Sequence, residues 1–469
     1  MLFNTIQFVV FLPIAFALHW ALPHKYRWAV LLLLSCFFYM YAVPKHILVL
    51  AFVIALSYVA AILLEKAETR QKKKLILGIA AGVCAGTLVF FKYLGLFFDI
   101  ADLSPALKII VPAGISFYTL QVVGYIADVY HGRIKAERHF GYYALFVAYF
   151  PQILSGPIGR ASSLLPQLKE ERVFDYDSGV YGMKLMIWGF FQKTVIADNL
   201  AYRIGLVFGN LREATGGAMF VAMLFYAFQL YCDFCGYTNV ARGVSKLFGI
   251  DLMENFRAPY LSSSVRELWT RWHISLSTWF KDYVYIPLGG SRCGKLRHYF
   301  NILVTFAVSG LWHGANWTYM IWGAMHGVAQ IFEDATGLSK KKSIGIIKIL
   351  RIAFVFAFFI VTLVVFRAST LNEAGYIYTH IFNGISNPRS YLSSAIKAMG
   401  FISVWDFAWH MMVYFIPLIA FDIASTRTDV ITWTAKQKPI LRHALYIAVI
   451  VGICLLHSYE EVDFVYLMF

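Results

Sequence analysis

The sequence predicts an all-α, polytopic integral membrane protein of about ten transmembrane helices, with additional re-entrant and interfacial helices. Three observations carry this. Of 469 residues, 59% are hydrophobic and only 14% charged, where soluble domains carry about a quarter charged residues. The hydrophobic excess falls in runs of roughly 17–24 residues, long enough to cross a ~30 Å hydrocarbon core. The basic residues behind the net charge of +15 gather in short loops between those runs, which is how cytoplasmic loops are marked. Such a distribution sets orientation and argues against nucleic-acid binding.

The first run, about Ile6–Leu22, lacks a basic leader and a small-residue cleavage site, so it reads as a retained span. Spans follow at about Trp28–Val43 and His46–Leu64, then a basic loop, Glu65–Lys74, with Lys66, Arg70, Lys72, Lys73 and Lys74. With that loop inside, the uncharged N-terminus lies outside. A fourth span, about Leu75–Phe98, leads to the acidic Asp99–Pro105, and a fifth, about Ile109–Tyr130, returns to the basic Arg133–Arg138.

The middle is less regular. Tyr142–Pro157 is apolar but ends in Pro151-Gln-Ile-Leu-Ser-Gly-Pro157, whose prolines break a helix. Broken backbone at membrane depth needs protein or water around it, so a re-entrant or interfacial piece is expected. Spans at about Val180–Ala197 and Ala218–Phe234 come next. In Tyr260–Tyr285, Trp269, Trp272, Ile274, Leu276, Trp279 and Phe280 alternate with Arg266, Glu267, Arg271, Lys281 and Asp282, which suits helices lying in the cytoplasmic interface.

The long apolar run from about Tyr299 to Phe332 contains Ser309-Gly-Leu-Trp-His-Gly-Ala-Asn-Trp317. Arg292, Lys295 and Arg297 precede it and Lys340, Lys341 and Lys342 follow, so both flanks read as cytoplasmic. The run is long for one crossing and short for two with a turn. A broken hairpin satisfies both constraints, with Gly310, Gly314 and Asn316 near its turn and His313 at depth. Spans at about Ile344–Phe366, Val404–Ile423 and Leu441–Leu456 close the chain, with an outer segment Arg367–Ser403, an inner loop Arg427–Arg442 and the C-terminus outside. The expected organisation is one membrane-embedded domain over residues 1–469: N-terminal spans in 1–138, a catalytic core in 139–343 and C-terminal spans in 344–469.

A titratable side chain at bilayer depth is costly and is a functional candidate by default. His313 is therefore the first such residue, and Asp233 in its aromatic run is another. Asp233 either orients a reacting group or pairs with Arg242 or Lys193 to hold the bundle. Cys36, Cys84, Cys232, Cys235, Cys293 and Cys454 suggest no disulfide framework. The pair Cys232 and Cys235 lacks the further ligands of a zinc site, so no metal is expected. Gly289–Lys295 has the wrong spacing for a phosphate loop, and no Gly-x-Ser-x-Gly elbow is present.

Several blocks together resemble the membrane-bound O-acyltransferase family, in its bacterial alginate O-acetylation branch. They are Val111-Pro-Ala-Gly-Ile-Ser-Phe-Tyr118, Phe150-Pro-Gln-Ile-Leu-Ser-Gly-Pro157, Gln229-Leu-Tyr-Cys-Asp-Phe-Cys-Gly-Tyr237, Arg271-Trp-His-Ile-Ser-Leu-Ser277, Asp282-Tyr-Val-Tyr-Ile-Pro-Leu-Gly-Gly290 and Leu311-Trp-His-Gly-Ala315, with an aromatic C-terminal Phe464–Phe469. The resemblance implies acyl transfer from a thioester to a hydroxyl, with His313 matching the essential histidine and His273 a second polar position. It further implies acetyl drawn from cytoplasmic acetyl-CoA across the bacterial cytoplasmic membrane, an exported polysaccharide as acceptor and a separate periplasmic acetyltransferase as partner. Two positions depart from the usual pattern: Asn239 stands where relatives often carry a carboxylate, and Thr270 where they often carry arginine.

Attack of a hydroxyl on a thioester requires loss of the hydroxyl proton as the bond forms. A neutral imidazole, with a pKa near 6.5, suits that role, so His313 is the expected general base. The competing reading is a histidine that only satisfies a backbone carbonyl. His273 either orients the thioester or is an interface residue whose tip reaches water. His326 is expected to be structural. Arg271, Trp312, Asn316 and Asp233 complete the candidate substrate-binding set, Arg271 as a contact for the phosphates of the donor. Two further chemistries fit the same fold, D-alanyl transfer to teichoic acid and peptidoglycan O-acetylation. A transporter or flippase is the alternative of another class.

Overall fold

The computed structural model describes residues 1–41, 43–97, 111–340 and 343–458. The expected acidic loop at Asp99–Pro105, Lys341, Lys342 and the aromatic Phe464–Phe469 lie outside the described residues. The chain divides into two compact units.

The first unit comprises Met1–Met186 with Tyr237–Glu254. It contains α1 (Ile6–Ala21), α2 (His24–Met40), α3 (Ile47–Lys66), α4 (Arg70–Phe97), α5 (Ile115–Tyr130), α6 (Phe140–Ala148), α7 (Ala161–Lys169) and most of α8 (Tyr176–Phe190). The break expected before Pro157 falls where α6 stops, and the turn Tyr149–Gly156 is buried. Backbone groups in this turn and at the end of α6 are satisfied by side chains. The Phe146 carbonyl accepts from Gln121 Nε2 at 2.7 Å and from Gln152 Nε2 at 2.8 Å, and Phe150 N donates to Ser35 Oγ at 3.1 Å. Such bonds each contribute about 1 kcal/mol, and leaving the groups unpaired would cost more. Gly114 makes the close approach possible: at φ +75°, a Cβ there would lie 2.1 Å from the Ile153 carbonyl oxygen.

Glu65, at the end of α3, accepts from Ala136 N at 2.8 Å and pairs with Arg138. The two basic loops, Glu65–Lys74 and Arg133–Arg138, therefore sit at one end of the α3–α5 layer, as the charge pattern requires.

The second unit comprises Ile187–Gly236 and the chain from Asn255 onward. It holds α9 (Asp198–Phe208), the first two-thirds of α10 (Gly216–Leu247), α11 (Val265–Arg271), α12 (Ile274–Phe280), α13 (Lys295–His313), α14 (Trp317–Ala335), α15 (Gly345–Arg367), α16 (Leu371–His380), α17 (Pro388–Ala398), α18 (Val404–Ser425), α19 (Val430–Ala435) and α20 (Pro439–Leu456). The run from Tyr299 to Phe332 is a hairpin of α13 and α14. Its arms approach closely because Gly310 has no side chain: a Cβ there would stand 2.3 Å from the Tyr319 carbonyl oxygen.

Three expectations are revised. The helix beginning near Ala218 does not end at Phe234 but runs to Leu247, because the polar Thr238, Asn239 and Ser245 are themselves buried. The helix ending near Ala197 continues through a π-helical turn, Phe191–Ala197, into α9. The segment Tyr260–Tyr285 does form short helices, but Trp269, Trp272, Leu276 and Trp279 are buried in protein, with Arg266 and Lys281 left exposed.

Among the described residues, six helices are long and apolar enough to cross a membrane, and the shorter α1 is also apolar. The sequence suggested about ten spans. The difference lies in four expected spans that fold as helices of 15–17 residues, α1, α2, α5 and α8. The chain is nearly all helical and polytopic. Nothing in the apolar 18-residue stretch of α20 is buried, a surface suited to lipid.

Candidate active site

His313 is the last residue of α13 and is buried, 2% exposed. Gly314 follows in an extended conformation, and Asn316 caps α14 with its Oδ1 accepting from Thr318 N at 3.1 Å. The other end of Asn316 donates to Ser369 O at 2.8 Å. Both polar ends of this candidate substrate contact thus hold the hairpin turn. The turn places the His313 ring in an aromatic box: Trp312 at 4.9 Å between centroids, Trp322 at 5.1 Å and Phe366 at 5.3 Å. An enclosed, water-poor box of this kind limits loss of a reactive acyl group to hydrolysis.

His273 lies between α11 and α12 in the left-handed region, φ 42° and ψ 56°. Few residues other than glycine adopt this conformation, and when they do it is held by the surroundings. Here the segment from Asn255 to Arg257 clamps it. Asn255 O accepts from Ile274 N at 2.9 Å, Asn255 Oδ1 from Ser275 N at 3.1 Å, and Arg271 O from Arg257 N at 2.9 Å. The imidazole is 1% exposed, which removes the reading of an interface side chain reaching water. Burial pushes it down to about 3, so the ring is neutral at working pH. Its neighbours are Phe234 at 4.6 Å and Trp312 at 6.2 Å. Trp312 is thus shared by the two histidines.

Asp233 precedes the Phe234 that touches His273. Its carboxylate accepts from Lys193 Nζ at 2.6 Å, and the same ammonium meets Asp198 Oδ1 at 2.7 Å. All three groups are buried. The π-helical turn that carries Lys193 widens the helix locally, a feature often found at functional sites. Arg242, the other cation considered for Asp233, lies instead beside Asn239 at 3.4 Å and Glu254 at 3.9 Å. Arg271 pairs with Glu267 at 2.7 Å. His326 is fully buried, receiving Trp269 Nε1 at 3.3 Å and meeting Thr362 Oγ1 at 3.1 Å. No group of three metal-ligating side chains occurs among the described residues.

The structure therefore brings His313, Trp312 and His273 together, sets Asp233 behind Phe234, and places Arg271 at the C-terminal end of α11, two residues before His273 and paired with Glu267. The sequence model of the membrane-bound O-acyltransferase family matches residues 136–365, a range that contains all six candidate site residues. The chain is 37% identical to a probable alginate O-acetylase AlgI of Pseudomonas syringae pv. tomato over 398 residues, 82% of this chain and 75% of that protein. The chain belongs to the membrane-bound O-acyltransferase family. Relatives of this acyltransferase carry different acceptors in their names. A peptidoglycan O-acetyltransferase of Helicobacter pylori is 34% identical over 80% of the chain and 78% of its own length. A teichoic acid D-alanyltransferase of Streptococcus thermophilus is 32% identical over 50% of the chain and 59% of its own length.

Several residues of this candidate site escaped sequence reasoning. Trp322 and Phe366 wall His313, Asn255 fixes His273, and Asp198 is the second carboxylate on Lys193. The run of aromatics after Asn316 hinted at Trp322. Asn255 gave no signal because its partner Ser275 lies 20 residues on, and Asp198 gave none because Asp233, which shares Lys193 with it, is 40 residues from that lysine.

Proposed function

We propose that this membrane acyltransferase moves acetyl from cytoplasmic acetyl-CoA through the membrane for O-acetylation of an exported polysaccharide, with His313 as general base. The observation that carries the proposal is a buried imidazole at the turn of a hairpin, packed through Trp312 against a second buried histidine. The names of the alginate relatives support acetyl as the group and a polysaccharide as the acceptor.

In this reading the acceptor hydroxyl oxygen attacks the thioester carbonyl carbon while His313 takes the hydroxyl proton. The tetrahedral intermediate collapses with cleavage of the carbon–sulfur bond. The proton passes from His313 to the departing thiolate, leaving an acetyl ester and free CoA thiol. His273, neutral and rigidly held, orients the thioester. Arg271 and the cytoplasmic basic residues attract the donor's phosphates. Trp312 and Asn316 shape the acceptor side, and Asp233 positions Phe234 against His273. The protein sits in the bacterial cytoplasmic membrane with both termini outside, and a periplasmic acetyltransferase takes the acetyl group onward or the polysaccharide receives it directly.

The relative acting on peptidoglycan, of comparable identity and coverage, favours one second reading: the same chemistry with a peptidoglycan sugar as acceptor. His313→Ala in the native membrane, with alkali-released acetate measured from isolated polysaccharide and from peptidoglycan, tests both. Acetate lost from the polysaccharide alone supports the first reading, and from peptidoglycan alone the second. Retained acetate in both, with the variant inserted at normal levels, removes His313 as base.

A further inference from the structure

The apolar helix α18 carries a buried acid. Met412, Ile416, Ile419 and Ile423 are exposed on it, whereas Tyr414, Leu418 and Asp422, spaced four residues apart, are buried along one face. A carboxyl group at such a position is costly unless it has a use. Tyr231 on α10 is buried and donates its hydroxyl to Asp422 Oδ1 at 2.8 Å. Among the described residues this phenol is the only side-chain partner of Asp422, with no lysine, arginine or histidine paired to it. The Tyr231 ring in turn meets Phe256 at 5.7 Å, Tyr260 at 5.3 Å and Trp272 at 6.2 Å between centroids. Phe256 and Trp272 meet each other at 5.1 Å. These two rings belong to the stretches that hold His273: Phe256 lies within the Asn255–Arg257 segment that clamps it, and Trp272 is the residue before it. Phe256 also lies 6.5 Å from the imidazole itself.

We propose that Asp422 and Tyr231 are a positioning pair for His273. The Asp422 carboxyl group fixes the phenol, and the phenol ring holds Phe256 and Trp272 in the arrangement that keeps residue 273 in its left-handed backbone. A residue other than glycine stays in that conformation only while its surroundings over-determine it, so an anchored ring does here what a loose one cannot. Adhesion between α10 and α18 does not account for the acid, because polar pairs between membrane helices contribute little to association and an apolar pair of similar volume would serve as well. The effect on catalysis rests on the proposed role of His273 in orienting the thioester, whereas the effect on the clamp does not.

The test replaces the pair by apolar residues in the full chain, Tyr231→Phe together with Asp422→Leu, and takes two readouts. Hydrogen exchange followed by mass spectrometry reports on the amides of Arg257, Ile274 and Ser275, which close the clamp. Transfer of labelled acetyl from acetyl-CoA in native membranes reports on the reaction. The double variant is expected to melt near the wild type and to exchange faster at those amides. Its kcat should fall about tenfold, with KM for acetyl-CoA changed by less than about twofold. Asp422→Asn keeps an acceptor for the phenol and should recover most of the kcat that Asp422→Leu loses. Faster exchange with unchanged kcat upholds the pair and removes His273 as the orienting group. Unchanged exchange at the clamp, whatever the kcat, overturns the proposal. If the double variant fails to fold, Tyr231→Phe alone, read at the same amides, decides it.

Discussion

His273 and Trp312 meet edge to face, with ring centroids 6.2 Å apart at 67°. His313 is the next residue in the chain, and its ring stands 4.9 Å from the same indole. Two segments far apart in sequence are thereby registered on a single aromatic side chain. Trp312 is buried, so truncation removes both contacts and leaves a cavity. Trp312→Ala is expected to lower stability by about 3–5 kcal/mol and to abolish acyl transfer. Trp312→Phe keeps an aromatic wall and should retain part of the activity. Thermal unfolding in detergent and an acyl-transfer assay on the same preparations check the pair. Full activity in Trp312→Ala would show that the histidines need no common wall.

Lys193 lies between Asp233 and Asp198, and all three are buried. Removing the cation strands two carboxylates. Lys193→Met should therefore destabilise by about 3–5 kcal/mol and reduce the amount of inserted protein. Asp233→Asn keeps a hydrogen-bond acceptor for Lys193, so its protein should accumulate better than Lys193→Met. If the role of Asp233 is to hold the bundle, specific activity per folded molecule stays near wild type in Asp233→Asn. If Asp233 touches substrate, KM rises while the unfolding midpoint moves little. Steady-state kinetics beside a melting curve separates these outcomes.

Glycines that look alike in the sequence face different neighbours. A Cβ on Gly310 would stand 2.3 Å from the Tyr319 carbonyl oxygen, whereas one on Gly78 in α4 meets nothing within 4 Å. Backbone cannot move aside as a side chain can. Gly310→Ala should force α13 and α14 apart at a cost of about 1–3 kcal/mol, displace His313 and reduce acyl transfer. Gly78→Ala should be neutral or stabilise by about 0.5–1 kcal/mol, through the higher helix propensity of alanine. Melting midpoints of the two variants, read against wild type, should move in opposite directions or only the first should move.

The parts of the fold legible in the sequence were those written in local chemistry. Pro151 and Pro157 marked the broken segment, and basic flanks around one long apolar run marked the hairpin with His313 at its turn. The rest needed partners brought from a distance. Thr238, Asn239 and Ser245 looked like the end of a span, yet α10 continues because the protein buries them. The segment around His273 showed an amphipathic pattern that fits a lipid interface or a protein interior equally well. Only tertiary packing chose the interior. Asp198 is one of many acids at a helix start until Lys193 is seen between it and Asp233.

The burial of His273 also has a consequence for pH. Its imidazole is held down to about 3 in the folded chain, whereas an unfolded histidine titrates near 6.5. Between those values the unfolded state binds a proton that the folded state refuses. Stability therefore rises with pH through this window and is lost as pH falls below about 6.5. His273→Asn removes the titrating group, and asparagine tolerates the left-handed backbone that position 273 requires. Lowering pH from about 7.5 to about 5 should depress the unfolding midpoint of the wild type more than that of His273→Asn. The same variant should lose acyl transfer at every pH if His273 orients the thioester. An acid-induced shift of equal size in both proteins would mean that His273 takes up its proton without unfolding, and that its ring has a route to water.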